Sequence, residues 1–295
     1  MSRFASAALA VTACALLAAA SPTPFSGDRA LDYTAHMVGF GVRPSGSAAG
    51  TRTAEYIEAQ LRALPCRISQ DTFTAQTPAG PIPVRNIIAT FPGTSGNRLL
   101  VVAGHYYTKR LPGFVGANDG GSSAGLLLEM ARAISTRKWN REIRVVWFDA
   151  EEAVKEWKDG DGKYGSTHLA ERWENDGTLS RIDALINVDM IGDRDLDIVR
   201  EQNSSPTLNA LVWKVAADLH DQAAFQDAEG SLDDDHIPFR ARGVNAIDLI
   251  DFDYGPGNSW WHTTQDTIDK LSAHSLQVVG DVVLTTLQRL DGSGS

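Results

Sequence analysis

The sequence predicts an α/β protein, a three-layer α/β/α sandwich in which helices cover both faces of a central mixed, mostly parallel sheet. Two observations lead to this prediction. Residues 98–104 and 143–148 are short, continuous apolar runs, which are typical of strands buried on both faces. Segments with the apolar spacing of amphipathic helices separate the strand candidates. Because strands that alternate with helices form largely parallel sheets, we expect helices on both faces.

The other elements follow the same alternation along the chain. Strands are predicted at residues 68–75, 83–91, 98–104, 143–148, 184–189 and 245–250. Helices are predicted at residues 51–64, 126–134, 205–219, 234–243 and 272–290. No linker, repeat or low-complexity insert follows residue 50. Residues 31–291 are therefore predicted to form one catalytic domain.

The first twenty residues have the features of an export signal. Arg3 precedes an apolar run over residues 4–20, and this run ends in three alanines that match a cleavage site. We therefore expect residues 1–20 to be a removed signal peptide and the protein to be secreted or periplasmic. An alternative is a bacterial lipobox at residues 11–14, which would leave Cys14 lipidated.

The segments beside the domain are polar or rich in small residues. Residues 21–30 are rich in Pro, Ser and Gly and are predicted to be flexible, and residues 292–295 form a polar tail. We expect no membrane span after signal cleavage. One cysteine, Cys66, then remains, so a disulfide framework is excluded.

The charge balance excludes one class of partner. The formal net charge is −10, with 37 acidic and 27 basic residues. A surface that binds nucleic acid needs the opposite sign, so we expect no nucleic-acid partner. We expect a monomer.

Acidic and imidazole side chains follow several predicted strands. They are His105, Asp119, Glu151, Glu152, Asp189 and His262. In sheets of this kind the functional groups lie at the carboxyl ends of the strands. Nitrogen and oxygen donors of this type suit a catalytic zinc ion. Of two adjacent carboxylates, one can bind a metal while its neighbour acts as an acid or base.

The order and spacing of these residues resemble the zinc aminopeptidase-like family, the M28 type. Longer segments resemble the animal-type glutaminyl cyclases within that family. These segments are FVGANDGGSSAGLLLEMARAI, WFDAEEAVKEW, KYGSTHLA, DDHIPF and WWHT. The resemblance extends from about residue 30 to residue 290. It therefore implies the zinc aminopeptidase-like fold for the whole predicted domain.

The resemblance implies one zinc ion per chain and a role for each site residue. Asp119, Glu152 and His262 match the three zinc ligands. Glu151 matches the acid/base, and Asp189 and Asp234 match a pair of carboxyls that share a proton. Trp157 and Trp261 match the aromatic walls of the substrate pocket.

The implied reaction is the cyclisation of an amino-terminal glutamine to pyroglutamate, with release of ammonia. The substrates would be peptides or proteins with a free N-terminal Gln. The nucleophile belongs to the same residue as the amide it attacks, so positioning supplies much of the rate.

Two alternatives stay open in the sequence. An M28-type zinc aminopeptidase would use His105 as a ligand of a second metal. Against this, Tyr107 stands where the family has an Asp that orients the metal-site histidine. A more distant alternative is a serine hydrolase that uses Ser123, which lies in a G-x-S-x-G pattern.

Overall fold

The computed structural model describes residues 24–158 and 160–292. The strands are β1 (Arg67–Thr77), β2 (Gly80–Phe91), β3 (Leu99–His105), β4 (Glu142–Phe148), β5 (Ile182–Asp189), β6 (Ile198–Glu201), β7 (Phe225–Gly230) and β8 (Ala246–Ile250). The helices are α1 (Gly27–Val38), α2 (Ala48–Leu61), α3 (Ser123–Ile134), α4 (Tyr164–Asn175), α5 (Pro206–Leu219), α6 (Ile237–Arg240) and α7 (Ala273–Gly292).

Six strands form one mixed sheet in the order β1-β2-β4-β3-β5-β8. The pairs β4–β3, β3–β5 and β5–β8 are parallel, and the β1–β2 hairpin joins β4 through an antiparallel pair. Strands β6 and β7 form a separate two-stranded sheet. The predicted sheet is thus confirmed.

Both faces of the sheet are covered, which explains the continuous apolar run in β3. Leu100 and Val102 pack into the core formed with α1, α2, α3, α5 and α7. Leu99, Val101 and Ala103 pack on the opposite face, against α4 and α6. Successive side chains of a strand point to opposite faces, so a strand covered on both sides is apolar at every position. This arrangement confirms the α/β/α sandwich.

The predicted flexible segment at residues 21–30 is corrected by the structure from residue 24 onward. Helix α1 begins at Gly27, and the Ser26 hydroxyl accepts a hydrogen bond from the backbone N–H of Arg29 as its N-cap. Phe25 and Ala30 are buried in the main core. The Pro, Ser and Gly content of this segment suggested a flexible chain. The segment is ordered because it packs against residues that lie far away in the sequence, and such contacts cannot be seen in local composition.

The sequence analysis also missed three other elements. Helix α4 and the short strands β6 and β7 have no counterpart among the predicted elements. In β7 only Phe225 is buried, so the strand lacks an apolar pattern that would reveal it.

Within residues 24–158 and 160–292, no helix is long and apolar enough to cross a membrane. The predicted signal peptide, the lipobox at Cys14 and residues 293–295 lie outside the described residues.

Helices α1 and α7 pack against each other with Phe25 at one end of the contact. A Cβ atom at Gly280 would lie 2.2–2.4 Å from atoms of the Phe25 ring. We predict that Phe25→Ala lowers the free energy of unfolding by about 3–5 kcal/mol, because it leaves a cavity in the core.

The same contact predicts non-additive substitutions. Gly280→Ala should destabilise the native protein but cost less in the Phe25→Ala background, where the ring no longer obstructs the methyl group. Urea unfolding of the two single variants and the double variant measures this difference. Free-energy changes that add to within about 0.5 kcal/mol would contradict the contact.

Candidate metal centre and active site

The carboxyl ends of the strands bring the candidate residues to one edge of the sheet. His105 and Asp189 are the last residues of β3 and β5, and Glu151 and Glu152 follow the end of β4. His262 lies in the loop after β8. The predicted placement at the strand ends is therefore confirmed.

Asp119, Glu152 and His262 form a donor group whose ligand atoms all lie within 4.8 Å of one another. His262 Nε2 lies 2.9 Å from Glu152 Oε1 and 3.2 Å from Asp119 Oδ2. Asp119 Oδ2 is buried and makes no hydrogen bond within the described residues. A buried carboxylate oxygen without a hydrogen bond, beside an imidazole and a second carboxylate, suits a metal ion.

His105, Asp119 and Asp189 form a second donor group of the same compactness, which shares Asp119 with the first. His105 Nε2 lies 2.9 Å from Asp189 Oδ1 and 3.3 Å from Asp119 Oδ1. Asp189 therefore orients His105. Tyr107 packs instead against Tyr106, with ring centroids 4.1 Å apart.

In the first donor group, the pKa shifts of Asp119 and His262 show that this position favours positive charge. Burial lowers the pKa of His262, but the adjacent carboxylates of Asp119 and Glu152 outweigh it and raise the pKa to about 9. Burial raises the pKa of Asp119, yet its interactions with His105 and His262 hold that pKa below its ordinary value. The carboxylates thus stabilise a cation at this position.

Asp266 holds the loop that carries Asp119. Its carboxylate accepts hydrogen bonds from the backbone N–H groups of Asn118, at 2.7 Å, and Asp119, at 3.1 Å. The Tyr254 hydroxyl donates to the same carboxylate at 2.8 Å. The sequence analysis missed Asp266 because, in sequence, it is one polar loop residue among several.

Lys109 is a second residue that the sequence analysis missed. Its ammonium group donates to Glu152 Oε2 at 3.2 Å and to the carbonyl oxygen of Ala153 at 3.1 Å. Lys109 therefore fixes one oxygen of Glu152 while the other faces His262.

Three residues without the freedom of glycine adopt positive φ angles at the site. They are Ala150, with φ 56°, Met190, with φ 49°, and His262, with φ 54°. Ala150 precedes the glutamate pair and Met190 follows Asp189. Such conformations cost about 1–3 kcal/mol each and persist where the surrounding structure holds them. Three of the six non-glycine residues with positive φ among the described residues therefore lie within the site or next to its side chains.

Glu151 lies beside the first donor group and is buried. Burial raises the pKa of Glu151 well above its ordinary value; the nearby His105 opposes this shift, and the charges of Glu152 and Asp234 add to it. A carboxyl group with a raised pKa can accept a proton and return it near neutral pH.

Asp189 and Asp234 both line the cavity but keep separate hydrogen bonds. The Asp189 carboxylate accepts from the backbone N–H of Met190, at 2.8 Å, and from Ser123 Oγ, at 3.3 Å. Asp234 accepts from Asn187 Nδ2 at 3.3 Å. Burial and the charge of Asp189 raise the pKa of Asp234 to about 6. The two carboxyls are thus electrostatically linked.

One cavity of about 250 Å³ collects all the predicted site residues except His105, which lies behind Asp119 and Asp189. The lining includes Asp119, Glu151, Glu152, Trp157, Asp189, Asp234, Trp261 and His262. This arrangement is a deep acidic pocket that opens beside two indole rings.

The two tryptophans that line this cavity differ in their contacts and exposure. The Trp261 ring stacks on the His262 imidazole, with centroids 3.9 Å apart and planes 21° apart. Trp157 is 40% exposed, the one exposed large apolar side chain of the described residues. Its loop is held by Asp161, whose carboxylate accepts hydrogen bonds from the backbone N–H groups of residues 154–156.

Ser123 does not have the setting of a nucleophile. Its side chain is fully buried, and its hydroxyl donates to Asp189 rather than to an imidazole. A glycine-rich segment, Ala117–Ser122, precedes it where a nucleophile elbow needs a strand.

Comparison with known proteins gives the same family in sequence and in structure. The model of peptidase family M28 matches residues 86–287. A glutaminyl-peptide cyclotransferase-like protein from Bos taurus is 32% identical over an alignment of 265 positions, and the match covers 77% of this chain. The chain spans 66% of the length of that relative.

Two solved structures extend the comparison over nearly the whole chain. The glutaminyl cyclase of an Acidobacteriales bacterium is 37% identical, with a TM-score of 0.89 over 97% of this chain and 100% of that one. A Zn-dependent exopeptidase from Parabacteroides distasonis is 26% identical, with a TM-score of 0.81 over 91% of this chain and 99% of that one. The chain therefore belongs to peptidase family M28 and, within it, to the group of the glutaminyl cyclases.

Proposed function

We propose that this protein is a zinc-dependent glutaminyl-peptide cyclotransferase, which converts an N-terminal glutamine to pyroglutamate and releases ammonia. The observation that carries the proposal is the buried Glu151 carboxyl group beside the Asp119–Glu152–His262 donor group, in a pocket bounded by Trp157 and Trp261. The names of the Bos taurus and Acidobacteriales relatives support this activity.

Asp119, Glu152 and His262 would hold the zinc ion. When bound, zinc would supply Lewis-acid polarisation of the γ-amide carbonyl. The three residues supply two carboxylate oxygens and one imidazole nitrogen, and this set of three protein ligands leaves a position open for the substrate. We propose one zinc ion per chain.

Glu151 handles the protons of the reaction. The α-amine nitrogen of the substrate forms a bond with the γ-amide carbon, and the bond from that carbon to the amide nitrogen breaks. Glu151 takes a proton from the attacking amine and passes one to the departing nitrogen, which leaves as ammonia. No water is consumed, so a pocket that excludes water favours this reaction over hydrolysis.

Asp189 and Asp234 would form the proton-sharing pair that steadies Glu151 and the substrate amine. Two close carboxyls in a buried site do not both ionise readily, and the raised pKa of Asp234 supports this role. Trp157 and Trp261 would form the walls that position the glutamine side chain.

A second candidate function is an aminopeptidase that releases N-terminal residues. The donor group of His105, Asp119 and Asp189 favours it, because it offers ligands for a second metal ion beside the first. The similarity to the Parabacteroides distasonis exopeptidase also supports it. From the first twenty residues we further propose that the protein is exported.

The two activities predict different products and different metal contents. We expect the purified protein to cyclise a glutamine-initiated peptide, to leave a leucine anilide intact and to carry one zinc ion per chain. Ammonia release, anilide cleavage and elemental analysis of the same sample measure these properties. Leucine release by a protein with two zinc ions per chain would overturn the cyclase proposal.

Glu151→Gln should keep zinc but lower kcat by about 10²–10⁴-fold, because the amide can neither take nor return a proton. Glu156→Gln is the matched control, since Glu156 is an exposed carboxylate on the following loop. We expect the control to keep full activity. A fully active Glu151→Gln variant would refute the acid/base role.

Asp266→Asn should weaken zinc binding by about 10–100-fold, because the backbone N–H groups of Asn118 and Asp119 lose their charged acceptor. Competition with a chelator measures the affinity, and thermal unfolding shows that the variant is folded. Tyr254→Phe removes one of the three hydrogen bonds to Asp266 and should have a smaller effect. Equal zinc affinity in Asp266→Asn and the wild type would show that Asp266 does not support the site.

A further inference from the structure

A second cavity, of about 180 Å³, lies beside the catalytic pocket. Glu152 lines both cavities, so they adjoin at this residue. The mechanism proposed above makes no use of this second cavity. Its position allows a peptide whose first residue occupies the catalytic pocket to extend into it.

The two cavities differ in charge. Six carboxyl groups and one imidazole line the catalytic pocket, and no lysine or arginine of the described residues does so. The charged residues that line the second cavity are Lys109, Arg110 and Glu152. An acidic pocket attracts the ammonium group of a peptide N-terminus, whereas the second cavity offers positive charge to the residues that follow it.

Lys109 stands between the two cavities. Its ammonium group uses two of its three N–H bonds on Glu152 and Ala153. The same group lies 5.8 Å from the ring centroid of Trp157, at the mouth of the catalytic pocket. Lys109 is therefore partly neutralised by Glu152 and is fixed in place.

Arg110 supplies the accessible positive charge. Its side chain is exposed, and its guanidinium group donates to the carbonyl oxygen of Ser45 at 3.2 Å. It forms no ion pair with any residue that the structure describes. A guanidinium group carries five N–H donors in a fork that matches a carboxylate, so Arg110 retains donors for a ligand.

Apolar surface completes the second cavity. Ile82, Ala79 and Val154 line it together with the cations. A short acidic side chain could place its methylene groups on this surface and its carboxylate near Arg110. An extended chain advances about 3.3–3.6 Å per residue, so the residues that reach the neighbouring cavity are the first few after the N-terminus.

We propose that this second cavity is a substrate subsite that prefers an acidic residue at the second or third position of the peptide. The proposal rests on the proposed cyclase function and adds to it the class of substrate sequence. Arg110 is the residue that sets the preference, and Lys109 reinforces it. The roles proposed above for the catalytic residues stay the same.

Three peptides that differ at one position test the subsite. They are the C-terminal amides of Gln-Glu-Ala, Gln-Ala-Ala and Gln-Lys-Ala, with a parallel set of amides that carries the change at the third position. The amide removes the terminal carboxylate, so that the side chain alone sets the charge beyond the first residue. We expect kcat/KM to be about threefold to fivefold higher for the acidic than for the basic peptide in the better set, the size of one partly exposed charge pair. The difference should lie in KM and shrink at high salt.

Arg110→Glu should reverse this order while leaving the neutral peptide unchanged. Arg52→Glu is the matched control, because Arg52 is also exposed, donates to one backbone carbonyl oxygen and lines neither cavity. It changes the net charge equally and should keep the wild-type order. Equal kcat/KM for acidic and basic peptides in the wild type would overturn the subsite, as would equal shifts in both variants.

The neutral peptide, Gln-Ala-Ala, distinguishes a failure of the cyclase proposal from a failure of the subsite proposal. If the wild type does not cyclise Gln-Ala-Ala, the proposed activity is wrong. Equilibrium binding of the same peptides, measured by competition with a fluorescent peptide, then decides the subsite separately. Tighter binding of the acidic peptide, lost in Arg110→Glu, supports the subsite, and equal binding of all peptides overturns it.

Discussion

The hydrogen bonds from the backbone of Asn118 and Asp119 to the buried Asp266 carboxylate fix the position of Asp119, and the rest of the site depends on that position. Asp119 belongs to both donor groups, so its position sets the geometry of each. The loop that carries it has left-handed and extended residues instead of regular helix. In this loop the backbone N–H groups of Asn118 and Asp119 bond to an acceptor from outside the loop, and Asp266 thereby helps to define its shape. The Tyr254 hydroxyl braces that acceptor from the far side.

Around Asp119 the fold concentrates carboxyl groups that repel one another. Burying several negative charges without partners is strongly unfavourable, and proteins compensate with cations, hydrogen bonds or protonation. All three forms of compensation occur here. His262 and Lys109 neutralise Glu152, backbone N–H groups serve Asp266, and Asp234 holds a raised pKa. The same concentration of negative charge that is costly in folding creates the affinity for a metal cation.

Local patterns predicted the sheet and the acidic and imidazole groups at its strand ends, whereas the roles of these groups came from the family resemblance. Strands such as β3 and β4 are apolar at every position, and the chemical groups follow them directly. Asp266 and Lys109 were missed because their roles depend on contacts 147 and 43 positions away in the chain. The orientation of His105 was missed for the same reason. The family resemblance showed that Tyr107 replaces the Asp that orients the metal-site histidine. The structure shows that Asp189 orients His105 instead.

The contact between Phe25 and α7 has a consequence for how the protein is made. The backbone N–H of Gly27 donates to Gln277 Oε1 across 250 positions, and Phe25 fills the space that Gly280 leaves. During synthesis the surface of α1 that packs on α7 therefore remains uncovered until almost all of the described chain has emerged. Long-range contacts of this kind slow folding and leave apolar surface uncovered in the meantime. An apolar surface of α1 that waits for α7 would keep the nascent chain accessible to chaperones until synthesis is nearly complete.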